Sequence, residues 1–385
     1  MNFSFPPEYH DYRDRLTEFV REEITPYARE YEVKATFPRE LWTKCAEFGV
    51  QGLAAPRAYG GELEEVDFPR ALLAMEGFGY ACNDNGLPFA LNAQMWTVQM
   101  PILHFGSEEQ KEKYLRPMVS GKMIGAHALT EPNAGSDVMS MQLSAAKNEA
   151  GNYVLNGKKR LITLGPAADV VLVFANARPE MGKWGVSAFL VERGTPGFTQ
   201  TPRMGKLGMR SVPIGELIFE NCEIPANAIL GSEGSGFAIV NHSLEYDRCS
   251  ILASQLGAMK RQLEQSLEFA KKREQFGRPI GQFQSVSNRL VDMKLRLETA
   301  RLLLYKTAWL KQQGKPALME AALLKLHLSE SFVASSLDAM RTFGGGSYLT
   351  DEDGPERDLR DALGGILYAG TSDIQRNIVA KLMGL

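Results

Sequence analysis

Two short stretches hold residue types able to do acid–base or anion-binding chemistry. Leu244-Glu245-Tyr246-Asp247-Arg248 carries two carboxylates two residues apart, so on a helix they point to different faces. A carboxylate facing a dry pocket has a raised pKa and becomes a better base near neutral pH. Beside an arginine on a wet face it is an ordinary surface charge, and the stretch alone permits both readings. The second stretch, Tyr368-Ala369-Gly370-Thr371-Ser372, sits at the mouth of a helix that Thr371 caps, downstream of the glycine run Phe343-Gly344-Gly345-Gly346. A helix N-terminus favours anionic or polar ligand groups. Asp373 fits that setting, and equally fits a simple first-turn acid. Ala369 has no group that could take a proton.

The elements that position these residues read as three regions. Apolar residues recur at helical spacing from residue 8 to about 120, as in Leu16, Phe19 and Val20 or Leu41, Trp42, Cys45 and Phe48. From about 124 to 230 short β-type runs follow: Tyr153-Val154-Leu155, Val170 to Phe174, Val186 to Val191, and Glu216 to Phe219. Turn residues separate them, including Gly151-Asn152 and Asn156-Gly157. That pattern predicts a small antiparallel sheet or barrel. Beyond 235 the stripes Leu252, Leu256, Met259, Leu263, Leu267 and Val286, Leu290, Met293, Leu297, Leu304 mark two long helices. A third is expected from about Ala317 to Thr342 and a fourth from Thr371, an up-down bundle. The expected fold is α+β, with an N-terminal helical domain (1–122), a central β-barrel (123–233) and a C-terminal four-helix bundle (234–385).

Composition narrows the function classes. Hydrophobic residues at 44% and charged residues at 23% suit a globular chain with a large core. A formal charge of −3 suggests no nucleic-acid-binding surface. The start lacks a signal peptide's basic and apolar regions, and no apolar run approaches a membrane span. Cys45, Cys82, Cys222 and Cys249 lie far apart with no CxxC; they read as buried small hydrophobes in a reducing cytoplasm, not as a metal site.

Further segments carry a resemblance. Ala126-His127-Ala128-Leu129-Thr130-Glu131-Pro132-Asn133-Ala134-Gly135-Ser136-Asp137 is similar to the signature segment of acyl-CoA dehydrogenases. Arg273-Glu274-Gln275-Phe276-Gly277, Ile280 to Gln284, Thr342 to Gly345 and Gly370 to Arg376 follow in family order, so the resemblance covers nearly the whole chain. It implies FAD as cofactor. By resemblance, Leu129 and Thr130 serve the flavin ring, Gly135 and Ser136 the pyrophosphate, and Thr163 the neighbourhood of N5. Arg273, Gln275 and Phe276 are expected from a neighbouring subunit onto the adenosine half, so at least a dimer and usually a homotetramer is implied. Gln284, Arg341, Gly344, Gly345, Thr371 and Asp373 complete the implied FAD contacts. The chain departs from the family at Leu161, where a tryptophan usually packs on the flavin, and at Leu164, where an asparagine is usual. Leucine still packs on the ring, with less area and no indole N–H.

The largest departure is Ala369, where most members carry the catalytic glutamate. Some members place the carboxylate on the first long helix of the C-terminal region, immediately before an arginine; here that is Asp247 before Arg248, with Glu245 as the alternative. Aspartate reaches about 1.5 Å less than glutamate, and about 1 Å of misplacement costs about a hundredfold in rate. Stretches 185–197, 281–289 and 292–298 are most similar to the subgroup that oxidises prolyl or aminoacyl groups on carrier proteins. The implied reaction is α,β-dehydrogenation of a phosphopantetheine thioester, the carrier-bound form favoured over CoA, with electrons passing to an electron-transfer flavoprotein or to oxygen. An enoyl-thioester reductase, a short-chain acyl-CoA dehydrogenase, an oxygen-using flavoenzyme and a non-catalytic flavin-binding partner remain as alternatives.

Overall fold

Apolar side chains at helical spacing organise the first 120 residues as expected. Leu16, Val20 and Ile24 run fully buried along the helical segment that begins at Pro7, and Leu41, Trp42 and Cys45 do the same on Arg39–Phe48. The helix Phe68–Ala81 is buried nearly all round, because Pro7–Phe19 packs on one side of it and the C-terminal helix Ala253–Lys272 on another. These observations come from a computed structural model that describes residues 4–350 and 354–385; the first residues of the expected N-terminal region, 1–3, lie outside them.

Eight strands form one sheet: β1 (Gly125–Ala128), β2 (Ser144–Lys147), β3 (Tyr153–Thr163), β4 (Val170–Asn176), β5 (Val186–Glu192), β6 (Phe198–Gln200), β7 (Ile214–Ile224) and β8 (Ile229–Leu230). The order is β6-β7-β3-β2-β4-β5-β8, with β1 alongside β4. β1 and β2 pair parallel to β4, and the other pairings are antiparallel. Among the described residues β6 and β8 do not pair, so the sheet is open and the expected closed barrel is not seen. β4 and β5 are apolar almost throughout, because both of their faces are covered. Asn156-Gly157, expected as a turn, lies inside β3, which runs eleven residues. A register shift against β7 falls between Leu155 and Gly157. A Cβ on Gly157 would meet the Leu143 backbone at 3.0 Å, so the glycine serves a close approach within the sheet.

The C-terminal region is helical, with one more break and one more helix than expected. Gly236–Ser250 and Ala253–Lys272 are separate, parted by a turn at Ile251 and Leu252. Gln284–Gln312 and Leu318–Phe343 follow, then Pro355–Gly365, which was not expected, and Ser372–Leu382. All four cysteines are buried and unpaired. No helix among the described residues is long and apolar enough to cross a membrane.

Candidate active site

Gly236–Ser250 packs on β5 and on Leu318–Phe343, so its inward face is sealed. Ser243, Asp247 and Ser250 lie on that face at spacings of four and three. Asp247 is only 6% exposed. Burial pushes its carboxyl up to about 7, and the positive charges of Arg248 and Lys325 pull against that rise. Such a group sheds and takes protons near neutral pH, the property a general base needs. Glu245 faces elsewhere, in an ion pair with Lys311 at 2.8 Å, and the Lys311 ammonium lies 4.1 Å from the Tyr246 ring centre.

The loop that lacks the usual glutamate lies against this helix. Arg248 Nε donates to the Ala369 carbonyl at 3.2 Å, and Gln375 Nε2 donates to the same oxygen at 3.1 Å and to Gly370 O at 3.0 Å. Ala369 and Gly370 both have positive φ (56° and 85°). At Gly370 a side chain would also sit 2.8 Å from the Gln375 amide. Thr371 caps Ser372–Leu382, its hydroxyl accepting from Ile374 N at 3.2 Å. Tyr368 packs on Phe89 with ring centres 4.7 Å apart, and its hydroxyl accepts from Gln255 Nε2 at 2.7 Å. Burial raises the Tyr368 phenol well above its ordinary range. Asp247, Arg248, Tyr368 and Ala369 therefore form one cluster, which brings the expected pair Asp247 and Arg248 against the loop that carries Ala369.

A second cluster gathers the residues expected at a flavin ring. The Glu131 carboxylate accepts from Gln142 N and Leu143 N and pairs with Lys159 at 2.8 Å, a salt bridge hidden from solvent. Lys159 also donates to Leu129 O, and Arg160 N donates to Thr130 O at 2.8 Å. Leu129 and Thr130 are thus pinned beside the end of β3. There a register shift between Lys159 and Ile162 accompanies a left-handed Leu161 (φ 59°), whose apolar side chain is 54% exposed. Leu164 is also left-handed (φ 62°), a conformation that asparagine tolerates better than leucine. The hydroxyls of Thr130 and Thr163 have no hydrogen-bond partner among the described residues. Gly135 and Ser136 sit on the exposed loop that follows, and a Cβ at Gly135 would meet nothing.

The sequence reading missed His127, two residues before Leu129. Its ring Nε2 lies 3.2 Å from Ser243 Oγ, one turn before Asp247 on the same helix face. The Ser243 hydroxyl also reaches Val240 O at 2.9 Å. Burial lowers the imidazole to about 4, which leaves it neutral at pH 7. A polar residue inside the otherwise small and apolar run Gly125–Ala128 was the available signal.

The remaining expected residues are not drawn into either cluster. Glu274–Gln275 and Arg278–Pro279 form a hairpin whose turn residues, Phe276 and Gly277, both have positive φ. Phe276 is 93% exposed at its tip, and the Gln275 side-chain amide donates to the Glu274 carbonyl. Arg273 precedes the hairpin and Gln284 opens the next long helix. Arg341 pairs with Asp338 at 3.6 Å, Gly344 and Gly345 border open space, and Asp373 pairs with Arg376 at 3.3 Å.

Comparison with known proteins adds the family context. Residues 6–122, 126–222 and 234–384 match the N-terminal, middle and C-terminal domains of acyl-CoA dehydrogenase, respectively. The chain is 39% identical to an L-prolyl-[peptidyl-carrier protein] dehydrogenase of Pseudomonas fluorescens, over 100% of both chains. Among solved structures it is similar to the prolyl acyl carrier protein oxidase AnaB, with 44% identity, TM-score 0.96, and coverage of 99% of this chain and 100% of that one. It is also similar to PigA with FAD and proline, at 40% identity and TM-score 0.97 over 100% of both.

Proposed function

Because the chain belongs to the acyl-CoA dehydrogenase family, we propose that Asp247 is the base of an FAD-dependent dehydrogenase acting on a carrier-protein-bound prolyl or related aminoacyl thioester. The enzyme is a flavin oxidoreductase of CH–CH bonds whose substrate is tethered to a carrier protein. The observation that carries the choice of base is the pairing of a buried, neutral-range carboxyl at Asp247 with the mute side chain at Ala369, the two linked through Arg248.

The residues present fit FAD. Leu161 offers an outward apolar surface at the strand end, and Thr130 and Thr163 offer free hydroxyls beside it. Leu129, Thr130, Leu161 and Thr163 would hold the ring, Gly135 and Ser136 the pyrophosphate. Arg341, Gly344, Gly345, Gln284, Thr371 and Asp373 would serve the rest. Bound FAD supplies the acceptor, at N5, for the β-hydrogen that leaves as hydride. Asp247 takes the α-proton, so a C=C bond forms between the α- and β-carbons and charge balances. Arg248 holds the Ala369 backbone in place, and the Tyr368 and Phe89 rings exclude water from the cluster. The Glu245–Lys311 pair favours Asp247 over Glu245, because it occupies the alternative carboxylate.

The exposed hairpin bearing Arg273, Gln275 and Phe276 gains a role if it reaches the FAD of a second subunit, which requires at least a dimer and suits a homotetramer. The matched family ranges favour domains at 1–122, 123–233 and 234–385, with the open sheet as a distorted barrel and the last helices as a bundle. A cytoplasmic location fits the free cysteines. The acceptor of the electrons is an electron-transfer flavoprotein or oxygen.

Anaerobic bleaching of the flavin band tests the reaction. Prolyl-carrier protein, other aminoacyl-carrier proteins and short acyl-CoAs are each mixed with the holoenzyme. Bleaching by a carrier-bound aminoacyl group ahead of the acyl-CoAs is expected. If no thioester bleaches the flavin, the enoyl reductase and non-catalytic alternatives take its place.

A further inference from the structure

Leu318–Phe343 buries Ala321, Ala322, Leu324, Leu328 and Phe332, and among these interior positions stands Lys325 with 0% exposure. Its Nζ has no hydrogen-bond partner among the described residues. The Tyr368 ring centre lies 5.9 Å away, and the charges of Asp247 and Arg248 both act on the ammonium through space. An ammonium buried without hydrogen bonds is costly, and a helix gains no packing from lysine where its neighbours are alanine and leucine. Glu330, the other charge that reaches it, is half exposed and lies 3.6 Å from Arg376. The buried group that needs a cation at this place is the Asp247 carboxylate.

We propose that Lys325 is a positioning residue for the reaction, a buried cation beneath Tyr368 that keeps the Asp247 carboxylate ionised before the thioester arrives. The proposal rests on the reading of Asp247 as the base. Several groups face Asp247. Its own helix supplies Arg248 and Cys249, Leu318–Phe343 supplies Lys325, with Glu330 behind it, and the loop after Pro355–Gly365 supplies Tyr368. Lys311, from Gln284–Gln312, is engaged with Glu245. Among the described residues Arg248 and Lys325 are the cations that act on Asp247, and Arg248 is committed through Nε to the Ala369 carbonyl. Burial brings the Lys325 ammonium down to about 8, so its charge is present at neutral pH and fades above it. Removing that charge raises the proton affinity of Asp247 and matters most where Asp247 titrates.

Two readouts on the holoenzyme test this. One is the pH profile of single-turnover flavin reduction by prolyl-carrier protein. The other needs no substrate: infrared titration of the carboxylic acid band that Asp247→Asn removes. In Lys325→Met the midpoint of both rises by about one pH unit. Flavin reduction at pH 7 then falls about fivefold, approaching tenfold well below pH 7, and the variant converges with the wild-type enzyme near about pH 9. Lys325→Arg keeps the wild-type midpoint. An unmoved midpoint in Lys325→Met, or a loss equal at every pH, overturns the proposal. Lys325→Gln repeats the comparison if the methionine variant does not fold; if neither folds, Lys325 is a structural lysine and the proposal is wrong. Wild-type rates in Asp247→Asn would instead remove the base assignment itself, whereas an inactive Asp247→Asn with an unmoved Lys325→Met midpoint removes only the role of Lys325.

Discussion

Arg248 donates from Nε to the main-chain carbonyl of Ala369 at 3.2 Å. The residue beside the buried carboxyl thus grips the backbone of the position where most relatives are expected to keep their glutamate. This contact ties Gly236–Ser250 to the loop Tyr368–Ser372, beside the bonds that Gln375 makes to the same loop. A charge-assisted hydrogen bond of this kind is worth about 1.5–3 kcal/mol. Arg248→Met should therefore slow flavin reduction about 10- to 100-fold, at unchanged FAD content, in stopped-flow experiments. An unchanged rate would mean that the loop is held by Gln375 alone.

The pH profile follows from Asp247. Its carboxyl is pushed up to about 7 by burial, and only the carboxylate can take the α-proton. Flavin reduction should therefore fall about tenfold per pH unit below about 7 and level off above it. Single-turnover rates across this range check the point. A limb near pH 4 would place the working carboxylate in water, away from the sealed helix face.

The buried pair Glu131–Lys159 supports the loop that carries Leu129 and Thr130. Removing one partner strands a buried charge, at a cost of about 3–5 kcal/mol. Lys159→Met should lower the melting temperature and release FAD on gel filtration, with Glu131→Gln acting in the same direction. Retention of FAD in both variants would show that the loop keeps its shape without the pair.

Leu161 leaves part of the expected flavin wall open. Leu161→Trp keeps an apolar group at an outward, left-handed position and adds about 50 Å² of apolar cover, worth about 1 kcal/mol. FAD should bind about fivefold tighter and the reduced enzyme should react more slowly with oxygen, read by fluorescence titration and oxygen consumption. Weaker binding in the variant would place the ring elsewhere.

Much of this was legible in the residues. Apolar stripes such as Leu252–Leu267 marked the long helices, and Thr371 marked a helix mouth that is indeed capped by its hydroxyl. The motif around Leu129 and Thr130 pointed, by family likeness, to the loop that Glu131 and Lys159 pin beside the end of β3. Other features depend on contacts between distant segments. Asn156-Gly157 reads locally as a turn and lies within a strand because β7 and Leu143 close around it. His127 acquires its partner from Ser243, 116 residues away. Lys325 is invisible in a list of charges and conspicuous once Leu318–Phe343 is seen to bury that side. Asp247 lay between two local readings, surface charge or buried carboxyl, and only the packing of its helix separates them.

The most direct test of the account is single-turnover flavin reduction by prolyl-carrier protein in Asp247→Asn, compared with the wild-type enzyme at equal FAD occupancy. Asparagine keeps the shape of the side chain and cannot take the proton. The account predicts reduction slowed by about a thousandfold or more with FAD still bound. Reduction at a rate close to that of the wild-type enzyme would contradict it and show that another group removes the α-proton.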